Sequence, residues 1–143
     1  MRKKYFFFDI DGTLTDNKTH KIVPSAKRTL DQLKANGHFV SIATGRAHYK
    51  AVSFTDKINI HNIVCNGGGC IVIDDQVVNL QPIPLEKSIH ILEQADQNHV
   101  GWLLALNDDD TVIMKDYRFL ETAGRRKELT TYLYDPSLDY HTL

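Results

Sequence analysis

Residues 5–15 read YFFFDIDGTLT, in which four aromatic side chains are followed by two aspartates and a glycine. An apolar run without alternating polar residues is typical of a strand buried on both faces, as in a parallel sheet covered by helices. The run stops at Asp9, and Gly12 then marks a turn. We therefore expect a strand over Tyr5–Phe8, buried on both faces, that delivers Asp9 and Asp11 to the loop at its end.

The segments downstream of this strand alternate between helical and strand patterns. Pro24 and Ser25 open a helix with Ser25 as its N-cap, and Asn36 with Gly37 closes it. The sequence then predicts a strand over 39–43, a helix from 44 to about 54, a strand over 62–65 and a hairpin over 70–80. Alternation of this kind predicts an α/β fold with a parallel sheet and right-handed crossovers.

A different pattern begins after residues 81–84, a proline-containing segment that is the best linker candidate in the chain. We expect a helix from Leu85 to about Asn98, a hairpin that pairs 102–106 with 112–114, and a helix over 124–134. This change places a boundary after residue 81, so that 1–81 form one part of the chain and 82–143 the other.

The composition excludes several classes of function. The 143 residues carry 17 basic and 18 acidic side chains, a net charge of −1, which gives no electrostatic footprint for nucleic acid. No apolar run approaches the ~20 residues of a membrane-spanning helix. Two cysteines are too few for a disulfide framework and favour a reducing compartment. We therefore expect a cytoplasmic globular protein without nucleic-acid or membrane partners, whose oligomeric state the sequence leaves open.

Polar residues follow each of the first three predicted strands, where open parallel sheets bind their ligands. Asp9 and Asp11 follow the first strand, and two close carboxylates with a divalent cation suit phosphoryl transfer. Thr44 and Gly45 follow the second strand at the expected start of a helix. Because the N-terminus of a helix presents backbone N–H groups and partial positive charge, this turn is a candidate anion site. Arg46 adds a charged fork to this anion site.

Three segments together resemble the haloacid dehalogenase (HAD) superfamily of phosphohydrolases. Residues 6–15 resemble its first motif, 43–46 look like the second motif of its Cof-type (class IIB) branch, and 64–68 are similar to the Asn-Gly segment ahead of that branch's cap. The resemblance covers about residues 4–84. It implies a Rossmann-like parallel-sheet core over 1–81 with a hairpin, followed over 82–143 by the start of an α/β cap.

The resemblance also implies roles for individual residues. Asp9 would be the nucleophile that forms an aspartyl-phosphate, Asp11 the general acid and base, and Mg²⁺ would be bound by the Asp9 carboxylate and the Asp11 carbonyl. An acid at Asp11 separates phosphatases from the dehalogenases of the superfamily. The expected function is therefore a Mg²⁺-dependent phosphohydrolase of small phosphorylated metabolites, with a phosphomutase as a variant. The residues assigned to phosphate or substrate are Gly12, Thr13, Thr44, Gly45, Arg46 and Asn66.

Two later motifs of the superfamily, a lysine and an acidic pair, are not found where the family places them, and we expect that the chain stops inside the cap. One alternative is therefore an inactive or truncated HAD-like fragment that acts at most as a binding domain. Another is a compact enzyme in which Asp108–Asp110 supply the acids and Lys87 the lysine, against the ordinary interpretation of a solvated turn.

A phospho-acceptor receiver domain fits less well, because Asn66 stands where its acceptor aspartate belongs. His48 and Tyr49 are further candidates to face substrate.

Overall fold

The computed structural model describes residues 2–142. The chain divides into two compact units, the first ending at Gln81 and the second beginning at Pro82. The first unit contains β1 (Tyr5–Phe8), α1 (Pro24–Ala35), β2 (Phe39–Ala43), α2 (His48–Thr55), β3 (Ile63–Cys65), β4 (Cys70–Ile73) and β5 (Gln76–Leu80). The second contains α3 (Leu85–Gln97), β6 (Thr111–Met114), α4 (Arg118–Ala123) and β7 (Thr131–Tyr134). No helix among residues 2–142 is long and apolar enough to cross a membrane.

The first unit is built on a five-stranded sheet with the strand order β1-β2-β3-β4-β5. The first three strands are parallel, with Phe8 opposite Ile42 and Ala43 opposite Val64. Strands β3, β4 and β5 are antiparallel, and the hairpin turns at Asp74 and Asp75, both with positive φ. This sheet confirms the prediction of an α/β fold with a parallel core.

The hydrophobic core of the first unit lies between the sheet and its helices. Ile42 in β2 and Ile10 after β1 are completely buried, and Leu30 of α1 is 1% exposed. Ala26 and Leu33, one turn away from Leu30 on either side, pack against the same cluster. Apolar residues at this spacing form one stripe of a helix, so the sequence pattern of α1 predicted the face that is buried.

The expectation that β1 is buried on both faces is wrong. Tyr5 is 65% exposed and Phe7 57% exposed, whereas Phe6 and Phe8 are half-buried. Within the described part of the chain β1 pairs only with β2, so it is an edge strand of this sheet. Right-handed crossovers in one direction place α1 and α2 on the same face. On the opposite face of β1, Tyr5 and Phe7 contact the ring of Phe39, and the Lys3 ammonium lies over the Tyr5 ring.

Two helices of the first unit begin elsewhere than predicted. Helix α1 begins at Pro24 with Val23 as N-cap, so Ser25 lies inside the first turn and makes no capping hydrogen bond. Proline suits this position because the first helical N–H has no partner within the helix. Helix α2 begins at His48 with Ala47 as N-cap, four residues after the predicted start at Thr44.

The second unit differs from its predicted form in the region after residue 100. Residues 131–134 form strand β7, which pairs in parallel with β6, so the predicted helix over 124–134 is wrong. The helix of this region is α4, which ends before Gly124 (φ 71°). The predicted hairpin between 102–106 and 112–114 is reduced to one antiparallel bridge between Leu104 and Ile113. The four residues of β7, Thr-Tyr-Leu-Tyr, include threonine and two tyrosines, which are types enriched in strands.

Candidate functional site

The turn that follows β1 presents its two aspartates to solvent. Asp9 has extended backbone angles, residues 10–14 form one tight turn, and Gly12 lies in the left-handed region at φ 79°. The Thr15 N–H and hydroxyl both donate to the Ile10 carbonyl, at 3.1 and 3.0 Å, and close the turn. A side chain at Gly12 would strain the backbone and would meet the Asn17 side chain at 3.0 Å. The buried Ile10 anchors a loop on which Asp9, Asp11, Gly12 and Thr13 are exposed.

The two carboxylates of this turn have different surroundings. Within residues 2–142 the Asp9 side chain makes no hydrogen bond or ion pair. The Asp11 carboxylate accepts two parallel hydrogen bonds from Arg46, from Nε at 2.9 Å and from Nη2 at 2.5 Å. The hydrogen bond from Arg46 is the main cause that lowers the pKa of Asp11 below its usual range, and the charge of His20 adds to it. Asp11 is thus held ionised while Asp9 is left open to a ligand.

The turn that follows β2 is fixed by backbone hydrogen bonds. Thr44 is buried, with 7% exposed, and its N–H donates to the Val64 carbonyl of β3 at 2.9 Å. Its hydroxyl oxygen accepts the Arg46 N–H at 3.2 Å. A Cβ placed on Gly45 would meet nothing within 4 Å, so open space adjoins this turn. Thr44 does not lie at a helix N-terminus, which corrects one premise of the predicted anion site.

Asn66 connects the turns that follow β2 and β3. Its N–H donates to the Arg46 carbonyl at 2.8 Å, and its side-chain oxygen accepts the His48 N–H at 2.9 Å. The second bond satisfies a free N–H at the start of α2, so this helix is capped by a residue 18 positions away. Asn66 itself has a positive φ of 51°, which asparagine tolerates better than most residues.

The structure therefore brings all eight predicted site residues to the ends of three neighbouring strands. Sequence reasoning missed two contributors: His20, whose charge acts on Asp11, and Phe54, whose ring lies 5.5 Å from the Arg46 guanidinium carbon. A histidine in a loop and a phenylalanine in a helix carry no local signal of these contacts. His48 and Tyr49 are half-buried in the first turn of α2.

The acids of the compact-enzyme alternative take part in the local structure of the second unit. An Asp109 carboxylate oxygen accepts the Thr111 N–H at 2.8 Å, and Asp110 accepts the Thr131 hydroxyl at 3.3 Å. Among residues 2–142, no group of three or more His, Cys, Asp or Glu side chains is placed to hold a metal ion. These contacts support the ordinary interpretation of Asp108–Asp110 as a turn.

Comparison with known proteins identifies the class to which this fold and site belong. Residues 6–140 match the model of the haloacid dehalogenase-like hydrolase family. The chain belongs to this family, which confirms the resemblance carried by the three strand-end motifs.

Three relatives show how far the likeness extends. YkrA of Bacillus subtilis (strain 168), named as a candidate phosphatase, is 34% identical over 128 residues, which are 89% of this chain and 49% of YkrA. A hypothetical protein from Geobacillus kaustophilus HTA426 is similar with a TM-score of 0.73 and 26% identity, over 99% of this chain and 54% of that protein. A candidate HAD/COF-like hydrolase from Plasmodium vivax is similar with a TM-score of 0.72 and 14% identity, over 94% of this chain and 51% of that one.

The last likeness, at 14% identity, shows a shared fold. The chain spans about half the length of YkrA and of these two solved structures.

Proposed function

We propose that this chain carries the nucleophile loop of a phosphohydrolase that acts on small phosphorylated metabolites. The observation that supports this most is the pair of exposed aspartates after β1, in a chain of the HAD-like hydrolase family. Among the described residues Asp9 has no partner, and Asp11 is held by Arg46. In this proposal residues 1–81 are the N-terminal part of the core and 82–143 the start of the cap. The buried thiols Cys65 and Cys70 fit a reducing compartment such as the cytoplasm.

The donors on this loop suit Mg²⁺ by their chemistry. Mg²⁺ takes oxygen ligands, and one or two carboxylates are enough when water and a substrate phosphate complete its shell. The Asp9 carboxylate and the Asp11 carbonyl are the groups that would hold it. Bound there, Mg²⁺ would neutralise the charge of the phosphoryl group that a carboxylate has to approach.

The proposed reaction divides the work between the two aspartates. An oxygen of the Asp9 carboxylate bonds to phosphorus while the bond between phosphorus and the leaving oxygen breaks, and Asp11 gives its proton to the leaving alcohol. Asp11 then takes a proton from water, the water oxygen attacks the aspartyl-phosphate, and phosphate leaves with Asp9 restored. Thr44 and Gly45 are proposed to hold the phosphoryl oxygens, with Gly12, Thr13 and Asn66 around them.

Arg46 gives this mechanism a way to change the acidity of Asp11. While the guanidinium lies on Asp11, the pKa of that carboxyl is low, which disfavours the protonated form required of a general acid. A phosphate dianion competes strongly for an arginine fork. If the substrate phosphate draws Arg46 to itself, the pKa of Asp11 rises as the cation leaves, and the acid becomes available when substrate is bound.

The proposal is tested by hydrolysis of p-nitrophenyl phosphate with and without Mg²⁺. We expect turnover that depends on Mg²⁺ and that falls by about 10³-fold or more in Asp9→Asn. Asp31→Asn, which removes an exposed acid of α1, serves as the matched control and should retain wild-type turnover. Turnover that survives Asp9→Asn would exclude Asp9 as the nucleophile.

The alternative, a chain that binds phosphate without hydrolysing it, predicts a different result. In that case neither the wild type nor Asp9→Asn would turn over p-nitrophenyl phosphate. Inorganic phosphate would still shift the amide resonances of residues 9–13 and 44–46 in an NMR titration.

A further inference from the structure

A cavity of about 380 Å³ lies in the first unit, between the loop ahead of α1 and the C-terminal end of α2. This volume is in the range of cavities that hold small molecules, ~300–1,000 Å³. Six residues line it: His20, Lys21, Ile22, Phe54, Lys57 and Ile58. None of them belongs to the proposed catalytic or phosphate-binding set.

The lining combines an apolar floor with a basic rim. Ile58 is buried and Phe54 half-buried, whereas His20, Lys21 and Lys57 are exposed. Within the described residues the ammonium groups of Lys21 and Lys57 form no ion pair. An apolar floor with cations at its edge suits an organic anion, since the body of the ligand packs on the floor while its charge meets the lysines.

In the part of the chain that the structure describes, the nearby acids Asp16 and Asp56 form no ion pair with these lysines. Asp16 directs its carboxylate into its own loop, where it accepts the N–H groups of Lys18 and Thr19 at 3.0 and 2.8 Å. Asp56, next to Lys57 in sequence, lines a different cavity. In a chain with a net charge of −1, this is a local concentration of positive charge with room for a ligand.

The loop that carries His20 and Lys21 is ordered by its own hydrogen bonds. Thr15 and Ile22 form an antiparallel bridge, and the Asp16 N–H donates to the Lys21 carbonyl at 3.0 Å. The His20 N–H donates to the Asp16 carbonyl at 2.8 Å. The backbone that carries His20 and Lys21 is therefore ordered before a ligand arrives, which reduces the entropy lost on binding.

Arg46 places this cavity next to the aspartate loop. Its guanidinium carbon lies 5.5 Å from the ring centre of Phe54, which lines the cavity, and its nitrogens contact Asp11. One arginine side chain thus separates the cavity from the proposed acid and base.

We propose that this cavity binds a second anionic group of the substrate, a carboxylate or a further phosphate carried on an apolar or aromatic body, with Lys21 and Lys57 as its cationic ligands. The inference rests on the proposed function, since it assumes that the transferred phosphate lies at Asp9. It narrows the substrate class to small phosphate monoesters with two separate anionic groups.

The test compares two aryl phosphates that differ in one group. Phenyl phosphate and 4-carboxyphenyl phosphate are titrated, with Mg²⁺, into the ¹⁵N-labelled 143-residue chain carrying Asp9→Asn, and binding is followed by NMR. We expect the carboxylated compound to bind about tenfold more tightly, with the added shifts at residues 20–22 and 54–58. The preference should fall as salt is added, because the lysines are exposed.

Variants of the rim identify the groups responsible. Lys21→Gln with Lys57→Gln should reduce the preference to about onefold to twofold without changing the affinity for phenyl phosphate. Lys18→Gln, an exposed lysine of the same loop that does not line the cavity, should retain it. Equal binding of the two compounds, or a preference that survives the double variant, would overturn the proposal.

The same compounds separate this proposal from the one on which it rests. If turnover of p-nitrophenyl phosphate does not depend on Asp9, the proposed function fails. A lysine-dependent preference for the carboxylate would in that case still support an anion site in the cavity.

Discussion

An arginine binds an aspartate in each unit of the molecule, Arg46 with Asp11 in the first and Arg118 with Asp96 in the second, and the surroundings of the two pairs differ. Asp11 and Arg46 join the turns after β1 and β2, and the Asp11 side chain is 54% exposed. Asp96 and Arg118 join α3 to α4 at 2.7 Å, and the Asp96 side chain is only 26% exposed. The residue types are the same, so the difference lies in burial and in the number of other donors.

Asp96 is the acceptor of a complete network. Its carboxylate takes hydrogen bonds from Trp102 Nε1 at 3.0 Å, from Arg118 Nη2 at 2.7 Å and from the Tyr140 hydroxyl at 3.0 Å. Burial alone would raise the pKa of Asp96, but these hydrogen bonds outweigh it and hold the pKa below its usual range. Arg118 also binds Asp116, and its own pKa is raised by both acids.

The comparison indicates which pair can be opened at little cost. Releasing Asp96 would leave the Trp102 and Tyr140 donors without an acceptor in a partly buried place, and Arg118 would keep only Asp116. Unsatisfied groups of this kind cost free energy. Among described residues Asp11 has Arg46 as its one hydrogen-bonding partner, and both ends of the pair reach solvent. An exposed pair contributes little to stability, so Asp11 can be released at little cost, as its proposed role requires, whereas Asp96 is a structural element.

The largest effect that separates the two pairs is expected from Asp11→Asn. Loss of the general acid should lower turnover about 10²- to 10⁴-fold, with a change in the free energy of unfolding below about 1 kcal/mol. The loss should be greater for phenyl phosphate than for p-nitrophenyl phosphate, because the poorer leaving group needs the proton more. Steady-state rates with both substrates and a urea titration provide the measurement.

An equal loss with the two substrates would contradict the role of Asp11 as the acid. A large loss of stability in Asp11→Asn would contradict its description as a releasable partner of Arg46.

The next largest effect is expected from Asp96→Asn, and it concerns stability. Three donors lose a charged acceptor, so the second unit should lose about 2–3 kcal/mol of unfolding free energy. Trp102 is the single tryptophan of the chain and lies in this network, so its fluorescence in urea reports on this unit. Asp116→Asn is the matched control: it also removes an acid from Arg118 but leaves the Trp102 and Tyr140 bonds in place. If both variants unfolded at the same urea concentration as the wild type, the contribution of this network to stability would be contradicted.

Acid should destabilise the second unit through the same carboxylates. The pKa values of Asp96 and Asp116 are lowered in the folded state, for Asp116 mainly by the Arg118 hydrogen bond. Their contribution to stability is therefore fully present above the ordinary carboxyl range, about pH 4. It is lost as pH falls from there through the lowered folded values.

The measurement is the urea midpoint of Trp102 fluorescence between neutral pH and pH 2.5. The midpoint should fall less steeply in Asp96→Asn than in the wild type. A parallel decline in both would assign the acid sensitivity to other groups.

The sequence predicted the local parts of the first unit well, for identifiable reasons. The apolar runs of β1 and β2, the stripe of α1 and the turn at Gly12 each depend on residues close together in the chain. The edge position of β1 was not predictable in this way, because it depends on which strand pairs beside it. The start of α2 depends on Asn66, 18 residues beyond His48.

The same limit explains the errors in the second unit and in the site. Strand β7 pairs in parallel with β6, a partner that its own four residues do not reveal. Arg46 and Asp11 form hydrogen bonds across 35 residues of sequence. The sequence therefore identified both residues without showing that they bind each other. Motif spacing indicates which groups meet at a sheet edge, whereas the partner of each group is a property of the fold.

The smallest effect is expected from Asp31→Asn on the outer face of α1. Asp31 lies 3.3 Å from Lys27 and 3.2 Å from Lys34, and half of its side chain is exposed. The hydrogen bonds of Lys34 and Lys27 lower the pKa of Asp31, yet all three groups already belong to one helix and are well solvated. We expect the urea midpoint to match the wild type, and a clear fall would show that solvated pairs contribute to stability here. The assignment of Asp11 to chemistry rather than to structure assumes that solvated ion pairs contribute little to stability.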